Sequence, residues 1–532
     1  MHPQDCPTTP KLLAAAAKHF GDRAFIEEGD VRISFAQFHE QCRIAAAALL
    51  CNGFKKGQKA AIWAPNMHQW IIAALAVQYA GGILVTVNTR YKGNEAASIL
   101  SAGSVNTLFC VGNFLDNYFP DMLPDDCRNS LQEIVVFGDA QNPGETSWAE
   151  FLQRGQNHLA EQGADTLEAI AASVQPDDAS DILFTSGTTG APKGVITAHA
   201  QNLKTFAAWT SILGLDENDR YLVINPFFHS FGYKAGILAC LLRGTTLIPH
   251  KVFDADAVLQ RIQSEQISML PGPPTLFQSI LAHPRLAEFD ISSLKKATTG
   301  AATIAVELIH QMRSTLGIDT VITAYGLSEC CGLATMCRRG DSAEVIAHTS
   351  GRALPDIEVR CIGADGAELP AGEAGEIVVR GYNVMTAYLD NPEATAETID
   401  EQGWLHTGDI GVLDEDGNLA ITDRLKDMFI TGGFNCYPAE IENQLVAHPD
   451  INMAAIIGIP DERMGEVAMA WLVKKDQSNA TETDIISWCR ENMANYKVPR
   501  LLRFVEALPM NASGKVLKTE LRAMHNASIS NA

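Results

Sequence analysis

The decapeptide TSGTTGAPKG at 185–194 follows the apolar run DILF and precedes a helical pattern, and small or hydroxylated residues lead up to its lysine. Such a segment lets backbone N–H groups and hydroxyls close on phosphate oxygens while Lys193 adds positive charge. It is not a Walker A loop, because Pro192 stands where that pattern needs Gly and Gly194 where it needs Ser or Thr. In AYGLSE, 324–329, a planar base can lie on the Tyr325 ring beside Gly326, and Glu329 offers the hard oxygen that Mg²⁺ prefers. The rival reading of Glu329 is an acidic group at a helix start. In HTGD, 406–409, Asp409 follows a Gly turn where a carboxylate can accept two hydroxyl hydrogen bonds; an Asx turn is the rival. Lys515, in NASGK at 511–515, taken alone reads as a solvated charge. The loop at 185–194 reads as a phosphate cradle.

The elements that position them alternate. The apolar segments LQEIVVFG at 131–138, DILFTSG at 181–187, YLVINPFF at 221–228 and TTLIPH at 245–250 read as strands separated by alanine- and leucine-rich helical stretches. That alternation predicts an α/β architecture with largely parallel, buried sheets. The run from Ile71 to Val87 reads as a buried helix, a Gly-Gly turn and a strand, too short and too interrupted to span a bilayer. A polar stretch at 139–181 is expected to cross the surface as helix and loops. From about Ser350, short β runs and Gly turns predict a small barrel, and after Gly433 a compact α+β pattern follows. The expected division is a large domain over 1–425 and a small mobile domain over 426–532.

Length and charge limit the classes. A chain of 532 residues exceeds what one core normally organises. A net charge of −23 argues against nucleic acid and anionic membrane as partners, and no stable membrane insertion is expected. The 12 cysteines form no CxxC pair and have no His partner at metal spacing, as expected of free thiols in the cytoplasm. Cys330 and Cys331 beside Glu329 read as small wall residues, since no histidine lies near them in sequence to activate a thiolate.

These motifs, with PFFHSFG at 226–232, TGAA at 299–302, GWLHTGD at 403–409 and DRLKDMFITGGFN at 423–435, resemble in order the adenylate-forming superfamily of acyl-CoA synthetases, peptide-synthetase adenylation domains and luciferases. The resemblance covers nearly the whole chain. It implies an ATP-dependent acid:CoA ligase that works through an acyl-adenylate, with ATP, Mg²⁺ and coenzyme A, releasing pyrophosphate and AMP. It implies ATP contacts from Thr185, Ser186, Gly187, Thr188, Thr189, Gly190 and Lys193. Further ATP contacts are implied from Gly300, Ala301 and Ala302, and from Ala324, Tyr325, Gly326 and Ser328. Glu329 would bind the metal, Asp409 the ribose 2′ and 3′ hydroxyls, and Arg424 the ribose or phosphate. Lys515, Glu329, Thr185 and Lys193 carry the catalytic role. Lys426 would be the hinge of a rotating lid, and Gly432 and Gly433 would line the CoA channel. His229, Phe231, Gly232, Tyr233 and Lys234 would border the acyl pocket, with His229 a lining residue, not a base, because a carboxylic acid is already ionised at pH 7.

The stretches NPFFHSFGYKAGILACLLRGTTLIPH and LPGPPTLFQSILAHP are similar to those of actinobacterial members that activate a methylhexahydroindanedione propanoate (HIP), a bicyclic remnant of steroid breakdown. Tyr233 and Lys234 would suit its ketones. A medium-chain fatty acid or an aryl acid is the alternative substrate if those two side chains point elsewhere. A homodimer is left open.

Overall fold

The computed structural model describes residues 1–185, 192–300, 304–424, 427–431, 434–461, 463–475, 478–493, 495–511 and 515–530, with the backbone alone at 423, 424, 434, 435, 529 and 530. The chain packs as two compact units, Met1–Val359 with Val379–Leu405, and Arg360–Val378 with His406–Ala532.

The first unit is built on two large sheets. In a nine-stranded sheet, Arg220–Val223, Thr246–Pro249, Met269–Pro271, Lys296–Thr299 and Thr320–Tyr325 run parallel. Leu222, Leu247, Ile248, Leu270, Val321 and Ile322 are almost fully buried. Sheets covered on both faces select such continuous apolar runs, which is why these strands stand out in the sequence. Three of the intervening helices are Ala255–Glu265, Pro274–Leu281 and Val306–Ser314. The first starts where the Asp254 carboxylate accepts the Ala257 N–H at 2.8 Å, an N-cap that satisfies a helix-end donor.

In an eight-stranded sheet, Lys59–Trp63, Ile83–Thr86, Thr107–Val111, Glu133–Phe137 and Ala179–Thr185 are parallel with their neighbours. Antiparallel strands Lys193–Ala198 and Ala387–Tyr388 extend its edge. The run from Ile71 to Val87 is indeed a buried helix, His68–Tyr79, and a strand. The polar stretch after Asp139 forms two helices, Trp148–Gln162 and Asp165–Ser173, that bury little beyond Phe151, Gly155, Leu167 and Ala171.

The second unit carries most of a four-stranded sheet, Ile357–Ile362, Ala374–Gly381, Leu405–Leu413 and Leu419–Arg424, the half-barrel of this mixed α/β architecture. It continues into the sheet of Phe429–Thr431, Phe434–Cys436, Ile451–Asp461, Gly465–Lys474 and Leu501–Phe504. Alternation along these strands feeds two cores. Ile456, Ala468, Ala470 and Leu472 pack with Ile441, Leu445 and Ile485 from the helices Pro438–Val446 and Glu482–Asn492. Ala455, Ile457, Met469 and Trp471 face the other way, with Leu521 from the helix Lys518–Ser530. Successive side chains of a strand point to opposite faces, so a sheet covered on both sides must be apolar at every position. All twelve cysteines are free thiols, ten of them buried. No helix among the described residues is long and apolar enough to cross a membrane.

His199 opens the helix His199–Leu213 with its Nδ1 2.9 Å from the Thr9 hydroxyl. Burial pushes its pKa down to about 4. Unfolding restores the ordinary value near 6.5, so the unfolded chain takes up a proton that the folded one refuses. The contribution of neutral His199 is therefore complete above about pH 6.5 and lost as pH falls toward 4, amounting to about 3 kcal/mol in total. Chemical denaturation at pH 7.5, 5.5 and 4.5 should show this fall, and His199→Gln should flatten it.

Candidate active site

Loops leave the carboxyl ends of parallel strands of the nine-stranded sheet at 225–232, after Arg220–Val223, at Gly300, after Lys296–Thr299, and at 326–329, after Thr320–Tyr325. This edge of an open α/β sheet is where ligands gather, because the loops there are free to diverge. The first unit thus brings His229, Gly232, Gly300, Ala324, Tyr325, Gly326, Ser328 and Glu329 to one edge. Among the described residues, Asn225 Oδ1 and the Thr298 and Thr299 hydroxyls are buried without a hydrogen-bond partner. A side chain at Gly326 would place its Cβ 2.4 Å from the Leu333 nitrogen, so the turn after Tyr325 closes only on glycine.

Thr185 and Lys193 face each other across the strands that flank the phosphate loop, and the Thr185 hydroxyl donates to the Lys193 carbonyl at 3.4 Å. Ser186, Gly187, Thr188, Thr189 and Gly190 lie outside the described residues, as do Ala301 and Ala302. The sequence suggested a helix directly after this loop. Instead Lys193–Ala198 is a strand, rich in the β-branched residues Val195, Ile196 and Thr197, and the helix begins at His199.

Tyr388, which the sequence reading missed, ties this hairpin to the metal-ligand candidate. Its strand pairs with Lys193–Ala198, and the Lys193 ammonium lies 4.8 Å from its ring centroid. The Tyr388 hydroxyl donates to Glu329 Oε1 at 2.8 Å, and the Met385 N–H donates to the Glu329 carbonyl at 2.8 Å. Burial, then the Glu329 charge, raise the Tyr388 pKa well above the usual phenol range, so it stays a donor. Glu329 Oε2 carries no hydrogen bond to a described residue. The only sequence signal was an aromatic residue in a short run before Pro392.

His229 is exposed to solvent. Desolvation by the surrounding protein, then the charge of Lys234, lowers its pKa, and its Nδ1 accepts the Phe231 N–H at 3.2 Å. Phe231 is half-buried. Gly232 admits no side chain, since a Cβ would lie 2.1 Å from the Pro226 carbonyl oxygen. Tyr233 and Lys234 turn their polar ends into the interior and not toward a ketone. The Tyr233 hydroxyl accepts from Gln78 Nε2 at 2.7 Å, and the Lys234 ammonium is 3.0 Å from Asp181 Oδ1. A buried ammonium requires a counter-charge, and Asp181 supplies it.

Cys330 and Cys331 are fully buried. Burial pushes the Cys331 thiol up to about 12, which leaves no thiolate for nucleophilic chemistry at neutral pH.

In the second unit, Asp409 and Arg424 are directly opposed on the antiparallel strands Leu405–Leu413 and Leu419–Arg424. Asp409 is buried, and its N–H donates to the Thr407 hydroxyl at 3.1 Å. That hydroxyl donates to the Ile377 carbonyl at 2.7 Å, anchoring the Gly408 turn, where φ is +66°. Lys515 is exposed, its N–H donates to Asn511 Oδ1 at 2.9 Å, and the Asn511 N–H returns a bond to its carbonyl at 2.8 Å. Lys426, Gly432 and Gly433 lie outside the described residues.

Known proteins are similar to this chain. The AMP-binding enzyme family matches residues 13–389, and the AMP-binding enzyme C-terminal domain matches 440–515. A 3-[(3aS,4S,7aS)-7a-methyl-1,5-dioxo-octahydro-1H-inden-4-yl]propanoyl:CoA ligase of Rhodococcus jostii is 47% identical, covering 97% of this chain and 98% of its own. A ligase of the same name from Mycobacterium tuberculosis is 46% identical over 98% of this chain and 99% of its own. The crystal structure of an anthranilate CoA ligase in complex with anthranoyl-AMP superposes with a TM-score of 0.84 at 25% identity, covering 100% of both chains.

Proposed function

This chain belongs to the AMP-binding enzyme family and is an AMP-forming acid:CoA ligase, and we propose that its acid is the bicyclic steroid-derived propanoate HIP. ATP and CoA are its co-substrates. The observation supporting the acid is the substrate named for the relatives that match nearly end to end. Lys234 no longer contributes to that argument, because its charge is satisfied inside the protein.

In the first half-reaction the acid's carboxylate oxygen attacks the α-phosphorus and pyrophosphate leaves. In the second, the CoA thiol attacks the acyl carbonyl, AMP leaves, and the thiol proton passes to solvent. Two anions meet in the first step, so the residues must supply positive charge. Lys193 is proposed to hold the polyphosphate, with Thr185 at the loop's base, and Lys515 to stabilise charge on the reacting oxygens. Tyr325 would stack on the adenine, with Gly300 beside it, Ser328 would touch the phosphate, Asp409 would take the ribose hydroxyls and Arg424 the ribose or phosphate. Glu329 fits Mg²⁺: its Oε2 is a hard anionic oxygen without a protein partner among the described residues, and Mg²⁺ is commonly held by one or two carboxylates plus substrate phosphates. When bound, the ion would neutralise charge on the phosphates. A lid over 426–532 turning at Lys426, with Gly432 and Gly433 at the pantetheine path, completes the proposal. His229, Phe231 and Gly232 would border the acid.

Tyr388→Phe keeps the ring under Lys193 but deletes the hydrogen bond to Glu329. It should raise the Mg²⁺ concentration for half-maximal pyrophosphate release about tenfold, the scale of losing a partner that orients a metal ligand. The same factor should appear in Mg²⁺-dependent binding of a non-hydrolysable ATP analogue.

The function itself is tested with ATP, Mg²⁺ and CoA against HIP, fatty acids of graded length, cinnamates and benzoates, with thioesters read by mass spectrometry. HIP-CoA as the dominant product supports the proposal. Preference for medium-chain or aryl acids replaces the substrate and leaves the ligase chemistry standing.

A further inference from the structure

We propose that Lys234, paired with Asp181, is a positioning residue that couples acid binding to the conformation of the phosphate hairpin. This rests on the ligase reading above, with the acid held near His229.

The pair is sealed. Lys234 is 1% exposed and Asp181 is 0% exposed. Lys234 Nζ lies 3.0 Å from Asp181 Oδ1 and donates to the Thr197 hydroxyl at 2.9 Å, which itself donates to Asp181 Oδ1 at 2.8 Å. Asn202 Nδ2 and the Ser180 hydroxyl both donate to Asp181 Oδ2 at 2.6 Å. Burying two charges costs several kcal/mol per ion before pairing, and apolar replacements of equal volume are often at least as stable. Stability is therefore a poor reason for this pair. Geometry offers a better one.

Asp181 and Thr197 are opposite each other in register on the two strands of the phosphate hairpin, four residues before Thr185 and four after Lys193. Four residues of strand span about 13 Å. Lys234 belongs to a π-helical segment, Phe231–Leu238, that begins two residues after His229. Such wide turns are rare and concentrate at functional sites. The preceding residue adds a second tie, because Gln78 Nε2 donates both to the Tyr233 hydroxyl, at 2.7 Å, and to the Ser180 carbonyl, at 3.0 Å. Residues 233 and 234 thus grip residues 180 and 181 of the hairpin. The field of Lys234 also reaches His229 and Cys331, two positions beyond Glu329. A displacement of the π-helical segment by an acid would be passed through a short ionic contact, with no compliant side-chain packing between, to both strands that end at the phosphate loop.

The test compares wild type with Asp181→Asn/Lys234→Met, which removes both charges while keeping a hydrogen-bonding amide and an apolar chain of similar length. Binding of α,β-methylene-ATP is measured by calorimetry with and without saturating acid, using whichever panel acid wild type converts to a thioester. Acid should tighten analogue binding by wild type about tenfold, within the usual range of site-to-site coupling, and leave binding by the double variant unchanged. Its thermal midpoint should stay near that of wild type. If the double variant does not fold, Thr197→Val, which deletes the bridging hydroxyl, should lower the coupling about threefold. Equal coupling in wild type and the folded variant, or none in wild type, overturns the inference. Failure of wild type to form a thioester with every acid instead overturns the ligase reading.

Discussion

Replacing Lys515 with alanine is expected to lower acyl-adenylate formation by about 10²- to 10³-fold, the usual cost of removing one preorganised charge donor from a transition state. The attacking carboxylate and the α-phosphate are both anionic, and negative charge builds on the oxygens between them as the bond forms. A lysine ammonium in that position lowers the barrier by about 3 to 4 kcal/mol. The second half-reaction does not gather the same charge, because the thiol attacks an acyl carbonyl already activated by AMP. Lys515→Ala should therefore still convert supplied acyl-adenylate and CoA to thioester at close to the wild-type rate. The bonds between Asn511 and Lys515 run through the Lys515 backbone N–H and carbonyl, so truncating its side chain leaves those two bonds in place. Single-turnover assays of the two half-reactions separate the outcomes. An equal loss in both would show that Lys515 acts on folding or on AMP binding.

Glu329→Gln is expected to lower pyrophosphate release about 10²-fold at low millimolar Mg²⁺, with partial recovery as Mg²⁺ is raised, because a neutral amide is a poor ligand for a hard divalent cation. The substitution is nearly isosteric, and the amide oxygen can still accept from the Tyr388 hydroxyl, so the local geometry survives. Calorimetric binding of the ATP analogue should lose its Mg²⁺ dependence in parallel. An unchanged Mg²⁺ titration would remove Glu329 from the metal role and leave it as the group that orients Tyr388 beside Lys193. Compared with Tyr388→Phe, the two variants distinguish a lost ligand from a loosened one.

The chemistry proposed for this protein is legible in its sequence because each candidate reacting group stands in a local signature. Glycines and hydroxyls precede Lys193, a glycine turn precedes Asp409, and another follows Tyr325. Such turns need few residues and tolerate few alternatives, so they can be read without knowing what packs against them. The α/β architecture was legible for a related reason: strands buried on both faces are apolar throughout, and segments such as DILF and the run from Ile71 stand out whatever their neighbours. The same logic holds in the second unit, where Ile456 and Ile457 serve opposite cores from adjacent positions.

What the tertiary structure decided is which distant residues meet. Tyr388 reaches Lys193 and Glu329 only because its short strand pairs with one that begins 195 residues earlier, at Lys193, and no local pattern encodes that pairing. Asp409 and Arg424 were each recognisable, but their opposition depends on the register of two strands. Lys234 shows the limit most sharply. Its sequence neighbours placed it beside the acid, yet its partner is Asp181, 53 positions away on the phosphate hairpin. A charged side chain carries the same identity whether it faces a substrate or a buried counter-ion. The low dielectric of the interior makes that choice through desolvation and pairing, and only the folded chain fixes both.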